Sequence, residues 1–383
     1  MFHTSVIEIS KSALVSNLKY IRKIVGKNVR ISSVIKGNAY GHHIESFVPI
    51  AEECGLDHFS VFSAEEALRV KNVSNGKSQI MIMGIIDINE LPWAINNQVE
   101  FYVFDFYRLE AAIEAAKTTR KSAIIHLEIE TGMNRTGFDN KQFAKLAALL
   151  KENEKHLVLE GICTHYAGAE SIANYHRVMN QIKVFNKART WFENEGIKPH
   201  IFHSACSAAA VRYPKTRMNL VRIGIMQYGF WSNAETLIHY LTQSDKHNNP
   251  LKRLISWKSR IMGIKEVKTG EFIGYGTTYL ASRDMRIATI PIGYAQGFSR
   301  SLGNQGRFLI GGERVSVIGT VNMNLVTVDI TNVPQAGHGD EVVIIGEQGD
   351  LSISVASFSE LSNQLNYELL TRLPDNIPRI IID

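Results

Sequence analysis

Between residues 30 and 230 the chain passes through eight short apolar runs, one about every 25 residues, separated by segments with helical spacing of apolar positions. The runs are RISSVIK, HFSVFS, QIMIMGII, VEFYVF, SAIIHLEIE, LVLEGICTH, HIFHSACS and LVRIGIMQYG. Each is apolar almost throughout rather than at every second residue, as a strand covered on both faces must be. The segment DNKQFAKLAALLKEN shows what lies between them: Asp139 stands at a capping position, and Phe143, Leu146, Ala147 and Leu150 fall on one stripe. Eight strand-then-helix units in order predict an α/β fold, a (β/α)8 TIM barrel, with a doubly wound open sheet as the competing arrangement. The polar residues collect at the C-terminal ends of the runs, the face on which such a barrel carries its site.

After about residue 240 the pattern changes. SDKHNNP, residues 244–250, reads as a polar linker, and beyond it strands and turns dominate. SRIMGIKEVKTGEFIGYG reads as two strands joined at Thr269-Gly270, and RFLIGGERVSVIG repeats that plan through Gly311-Gly312. The expected organisation is a barrel domain over residues 1–243 and a mostly antiparallel β domain over residues 244–383, which suits a chain of 383 residues.

Composition narrows the class of protein. The formal charge of +5 arises from 42 basic and 37 acidic residues spread along the chain, without the basic tract of a nucleic-acid arm. Cys54, Cys163 and Cys206 are widely spaced, which suits a reducing compartment and gives no zinc pattern. The opening MFHTSVIEIS has no charged segment followed by a long apolar one, and no run approaches the roughly 18 apolar residues of a membrane span. A cytoplasmic enzyme acting on a small molecule, with no nucleic-acid or membrane partner, is the expectation.

The chemistry begins at VIKGNAYGHH, residues 34–43. Lys36 ends the first run and therefore stands at the barrel mouth. A lone lysine there ordinarily snorkels to solvent. The alternative is a Schiff-base lysine, partly desolvated so that its ammonium loses a proton easily and attacks an aldehyde. Tyr40 is placed to reach a phosphate, and Gly37 and Gly41 allow the backbone close to a ligand. At the other end of the barrel sequence lie HSACSAAAVRYP and LVRIGIMQYG. Ser207 opens a helix there and offers a hydroxyl beside free N–H groups, Gly224 exposes further N–H groups, and Arg222 is either a solvated strand-end charge or a cation facing a cofactor ring. A lysine on strand one and a phosphate cup after strands seven and eight together point to pyridoxal 5'-phosphate.

With these motifs in place, the sequence resembles the alanine racemases of fold type III almost end to end. VIKGNAYGHH is similar to that family's cofactor-lysine motif, ETGMNRTGF to its strand-five loop and VRIGIMQYG to its strand-eight motif. IGYGTTY, IPIGYAQGFSR, VNMNLVTVDIT and NYELLTRLP resemble motifs of its β domain. The resemblance implies that Lys36 holds pyridoxal phosphate and serves as one of two bases. Tyr275, reaching the site from the second subunit of a homodimer, would be the other. His165 would stack beside the ring, and Arg222 would face the pyridine nitrogen. Tyr40, Ser207 and Tyr367, with backbone at Gly224 and Ile225, would hold the phosphate. Arg135 would contact the substrate carboxylate. Met323 and Tyr294 would shape a narrow entrance, with Arg300 and Glu170 as its charged lining. The implied reaction interconverts L- and D-alanine, supplying D-alanine for peptidoglycan.

The chain departs from the family pattern at several positions. Where many relatives carry a carbamylated lysine it has Glu128, read as a built-in anionic partner of Arg135. Gln296, Thr320, Asn324 and Cys206 also replace the usual residues. A rearranged entrance leaves open a serine or broader amino-acid racemase. A fold-related decarboxylase would need a glutamate where Arg222 stands. A pyridoxal-phosphate carrier or homeostasis protein would lack the β domain and Tyr275.

Overall fold

The computed structural model describes residues 3–243, 248–355 and 366–383, with only the backbone described at Asn366 and Tyr367. Two compact units emerge. One comprises Ala13–Gly37 and Phe47–Lys252, and the other Met1–Ser12, Asn38–Ser46 and Arg253–Asp383.

The first strand, β1 (Ser5–Ser10), precedes the barrel and belongs to the second unit. The barrel strands are β2 (Arg30–Val34), β3 (His58–Ser63), β4 (Gln79–Ile85), β5 (Glu100–Val103), β6 (Ala123–Glu128), β7 (Leu157–Cys163), β8 (Ile201–Cys206) and β9 (Leu220–Ile223). They close in sequence order, every pair parallel, and β2 meets β9 with Arg30 opposite Leu220 and Ser33 opposite Ile223. This is the barrel expected from the eight runs, not the open sheet. Every residue of β5 and β9 is buried, which explains why these runs are apolar without alternation. Asp139 accepts from the Lys141 N–H at 2.9 Å and starts a turn leading into the helix Phe143–Glu152, whose buried stripe is Phe143, Leu146, Ala147 and Leu150.

The division of the chain differs from the simple cut at residue 243. The loop after Lys36 and the opening strand both group with the C-terminal unit. The opening strand SVIEIS buries Ser5, Ile7 and Ile9 in strict alternation, a half-covered pattern unlike the barrel runs. Residues 244–247 of the expected linker lie outside the described residues.

The second unit also contains β10 (Ile255–Arg260), β11 (Gly263–Val267), β12 (Met285–Ile290), β13 (Arg307–Ile310), β14 (Glu313–Ile318), β15 (Val326–Asp329), β16 (Glu341–Gln348), β17 (Leu351–Ile353) and β18 (Arg379–Ile382). Its strands run β11-β12-β15-β14-β13-β16-β10-β1-β18, with β17 on β16, and all pairs but β1 with β18 are antiparallel. The β13–β14 hairpin turns through Gly311 and Gly312 at φ of 60° and 79°, as a two-residue turn of that hand requires. The other expected hairpin does not form. After Gly270 the chain pairs with residues 279–281 instead, through a bridge between Phe272 and Leu280 flanked by Ile273 N–H to the Tyr279 carbonyl at 3.0 Å and Ala281 N–H to the Glu271 carbonyl at 2.9 Å. Gly274 and Gly276, at φ of 79° and 69°, turn the chain between the two segments. Tyr275 lies between them and is 74% exposed. Among the described residues no helix is long and apolar enough to cross a membrane.

Inside the barrel unit, Asn17 fastens the helix Lys11–Val25 to the segments following the last barrel strand. Its amide donates to the Gln227 and Lys252 carbonyls at 3.1 and 2.7 Å and accepts from the Lys252 N–H at 2.8 Å. Asn17→Ala should lower unfolding stability by about 2–3 kcal/mol in urea titrations, since it strands buried backbone groups. A loss near zero would show that this fastening is dispensable.

Candidate active site

Lys36 follows the end of β2, and the chain then turns the wrong way. Gly37, Asn38, Ala39, Tyr40 and Gly41 have φ of 61°, 54°, 54°, 52° and 80°, a left-handed helical turn. Each non-glycine residue there costs roughly 1–2 kcal/mol, so neighbouring bonds must hold the shape. Asn38 accepts from the Ile44 N–H at 3.0 Å and donates to Asp375 at 2.6 Å. His42 Nδ1 donates to the Ala39 and Tyr40 carbonyls, and Arg379 donates to the Gly41 carbonyl at 3.1 Å. Tyr40 closes the turn in the segment that groups with the second unit.

The barrel unit gathers most of the expected residues. Arg222, on β9, is buried, and its guanidinium donates to His203 Nδ1 at 2.5 Å and to the carbonyls of Thr164 and Ser204 at 2.7 and 3.1 Å. Ser207 begins the helix Ser207–Arg212, and its hydroxyl accepts from the Gly224 N–H at 3.0 Å, with buried Ile225 next in the chain. The loop carrying Arg135 is pinned by Glu130, whose carboxylate accepts from the N–H groups of Gly132, Asn134 and Arg135. Gln181 ties that loop to the next by donating to Thr131 at 3.2 Å and to the His165 carbonyl at 3.1 Å. The Glu170 carbonyl accepts from Arg212 at 2.6 Å. Neither Glu130 nor Gln181 stood out in the sequence, where a loop carboxylate and a helical glutamine look like solvated residues.

Positive charge dominates this end of the barrel. The Lys36 side chain reaches solvent, yet the protein packed around it, then Arg135 and Arg222, depress its basicity, and Glu66 opposes them. His165 is pushed down to about 3 by burial first, then by Arg222, Arg135 and Lys36, so its imidazole is neutral at pH 7. Glu128 departs from the expected pairing. It is buried and accepts from the Thr136 hydroxyl at 2.7 Å, and among the described residues no ion pair joins it to Arg135. Burial raises its pKa despite Thr136, Arg135 and Arg222.

The second unit holds the rest. A cavity of about 520 Å³ is lined by Tyr275, Tyr294, Arg300, Thr320, Met323 and Asn324, among others. Its two loops are joined where the N–H groups of Tyr294 and Ala295 donate to the Asn322 and Met323 carbonyls at 3.1 and 2.9 Å. Gln296 accepts from the Gly293 N–H at 2.9 Å and so serves the turn. Tyr367 lies in the helix Asn366–Thr371, with its side chain outside the described residues.

A lysine whose basicity is depressed by burial and by two guanidinium groups, at the mouth of a TIM barrel whose last strands also carry a serine hydroxyl bonded to a backbone N–H, is a site for amine chemistry on an anionic ligand. Two family models match the chain: the alanine racemase N-terminal domain over residues 9–231 and the C-terminal domain over residues 254–381. The alanine racemase of Leptospira interrogans is 34% identical over 381 residues, spanning 100% of this chain and 96% of that protein. Alanine racemase 1 of Caldanaerobacter subterraneus is 32% identical over 376 residues, covering 98% and 94% respectively. Among solved structures, Bacillus anthracis alanine racemase with bound L-Ala-P superposes with a TM-score of 0.90 at 30% identity, over 100% of this chain and 96% of that one. Bartonella henselae alanine racemase with covalently bound pyridoxal phosphate shares the fold, with a TM-score of 0.84 at 24% identity and full coverage, 100%, of both chains. The chain belongs to the alanine racemase family, and it is an isomerase.

The electrostatics of Lys36 can be checked directly. Arg135→Gln removes a like charge, so the Lys36 ammonium should keep its proton to higher pH. The pH curve for its labelling by an amine-reactive reagent, read by peptide mass spectrometry, should move upward. A curve that stays in place would remove Arg135 as a cause.

Proposed function

We propose that the protein interconverts L- and D-alanine with pyridoxal 5'-phosphate by a two-base mechanism, as a cytoplasmic homodimer that supplies D-alanine for peptidoglycan. The observation that carries this reading is the position of Lys36, a lysine of depressed basicity at the barrel mouth. The residues present fit the cofactor. The Ser207 hydroxyl accepts from the Gly224 N–H and so keeps its own proton to donate to a phosphate, and the backbone at Gly224 and Ile225 with Tyr40 and Tyr367 would complete the cup. The Lys36 amine would hold the aldehyde carbon.

When bound, pyridoxal phosphate supplies an electron sink that makes the α-proton of an attached amino acid removable. The chain's own residues decide where that proton goes. Lys36 Nζ would take or return it on one face of the α-carbon, and Tyr275 Oη, delivered by the other subunit, would act on the opposite face. The exposure of Tyr275 on its own unit supports that delivery. A phenol with an ordinary pKa of about 10 needs help to act as a base, and neutral His165 is suited to polarise its surroundings while stacking beside the ring. Arg222 has only donors, so it would leave a facing pyridine nitrogen unprotonated and limit side reactions. Arg135 would bind the substrate carboxylate. Met323 and Tyr294 would narrow the entrance, with Arg300 and Glu170 giving it charge. A second reading, a racemase that also accepts serine, is favoured by Thr320 and Asn324 in the cavity lining, where a hydroxyl and an amide could meet a substrate hydroxyl.

Lys36→Ala should abolish the absorbance of protein-held cofactor and lower turnover by about 10³-fold or more. Retained turnover would refute the role of Lys36. Tyr275→Phe should slow α-proton exchange from L-alanine about a hundredfold while sparing exchange from D-alanine far more. Equal losses for the two enantiomers would refute the division of labour between the bases.

A further inference from the structure

The barrel core contains a continuous hydrogen-bonded chain of buried side chains that ends on Arg222. Arg222 meets His203 Nδ1 at 2.5 Å, and His203 Nε2 meets His126 Nδ1 at 2.9 Å. His126 Nε2 meets Glu100 Oε2 at 2.9 Å, and His58 Nε2 reaches the same oxygen at 3.2 Å. His58 Nδ1 meets the Ser32 hydroxyl at 2.9 Å, and Ser32 is bonded to Ser60. All of these residues are buried. The barrel reserves room for the chain at Gly161, where a Cβ would stand 2.2 Å from His126 Nδ1.

The direction of the chain follows from its ends. A guanidinium only donates, so His203 Nδ1 accepts and the His203 proton sits on Nε2. His126 Nδ1 then accepts, and its proton on Nε2 goes to Glu100. An ionised carboxylate only accepts, so donors arriving through His126 and His58 converge on Glu100. Both ends thus specify one polarity, and neutral imidazoles carry it. Burial opposes the charge on Glu100, but the hydrogen bonds from His126 and His58 outweigh it and hold the carboxyl well below its usual range. Burial, then Arg222, His126 and His58, keep His203 neutral.

Arg222 needs such a counter-charge. Its own donors reach carbonyls and an imidazole, and among the described residues no carboxylate pairs with it directly. Burial works against its charge, and the groups that oppose burial and raise its basicity are Tyr102, Cys163, Cys206 and Glu128. Burial raises Tyr102, Cys163 and Cys206 above their ordinary pKa, so they carry no charge near pH 7, and Glu128, itself raised by burial, makes no direct hydrogen bond or ion pair with Arg222. A buried cation without a compensating anion is costly.

We propose that Glu100 is the counter-charge of Arg222, acting on it through His126 and His203 as a positioning residue. Its meaning for catalysis rests on the reading that Arg222 faces the cofactor ring.

Nitrogen-15 spectra of histidine-labelled full-length protein, with and without pyridoxal phosphate, test the polarity. Wild-type His126 and His203 should both be neutral Nε2–H tautomers. Glu100→Gln and Arg222→Gln should each keep that pattern, because one charged end still directs the chain. The double variant E100Q/R222Q, whose two amides can donate or accept, should show mixed tautomers. In urea unfolding each single variant should lose at least tenfold in the equilibrium constant, and the double variant at least tenfold less than the product of the single losses. An Nδ1–H tautomer at either histidine in the wild type, or losses that multiply independently, would overturn the proposal. The wild-type spectra decide the first point even if a variant fails to fold. With cofactor bound, E100Q should shift the pH midpoint of the cofactor's absorbance downward by about one unit, since an uncompensated Arg222 favours deprotonated neighbours. Coupling without that shift upholds the counter-charge and overturns the reading that Arg222 faces the ring.

Discussion

The site depends on one parallel pairing, that of β2 with β9, which closes the barrel between strands nearly 190 residues apart in sequence, with Arg30 opposite Leu220 and Ser32 opposite Arg222. That register places the strand that leads into Lys36 beside the strand carrying Arg222 and, just beyond it, Gly224. A slip of one residue would turn every side chain on β9 to the other face and send Arg222 out of the core. The ladder is reinforced from within by Ser33, whose hydroxyl donates to Gln227 at 2.7 Å, and by Gln227 and Tyr228, which both donate to the Val34 carbonyl. The functional end of β2 is therefore tied to the chain after β9 by side chains as well as by backbone.

Closure brings cations together, and the local electrostatics follow. Burial first, then Arg135 and Arg222, lower the tendency of the Lys36 amine to carry its charge. Burial first, and then the same cations, drive His165 neutral. The left-handed turn after Lys36 stores strain at this point, and bonds from Asn38, His42 and Arg379 hold it. Strain and charge crowding both cost stability. The barrel offsets them with a closed ladder and with a buried polar chain leading away from Arg222.

Much of this was legible in the sequence. Uninterrupted apolar runs announced strands covered on both faces, and their number announced the barrel. Lys36, Ser207, Arg222 and Gly224 were legible because each sits at the end of a run, where a barrel presents its side chains. What escaped had physical reasons. SVIEIS alternates like a half-exposed strand, yet a single short strand does not say which sheet it joins. GEFIGYG looked extended, but two glycines at positive φ break it and lift Tyr275 out. Glu128 seemed a natural partner for Arg135, and its Thr136 bond depends on a loop path that spacing alone does not reveal. His58, Glu100, His126 and His203 were hidden inside runs read as apolar, because polar residues that satisfy one another in a core leave no periodic signature.

The central claim is that this geometry racemises alanine. The most direct measurement is incubation of the purified protein with pyridoxal phosphate and L-alanine in deuterated water, in parallel with L-serine, following loss of optical rotation and α-proton exchange together. The account predicts that alanine loses rotation and exchanges its α-proton with deuterium, and does so faster than serine. Exchange at the α-carbon with rotation retained would contradict it, since one face of the substrate would then lack its base.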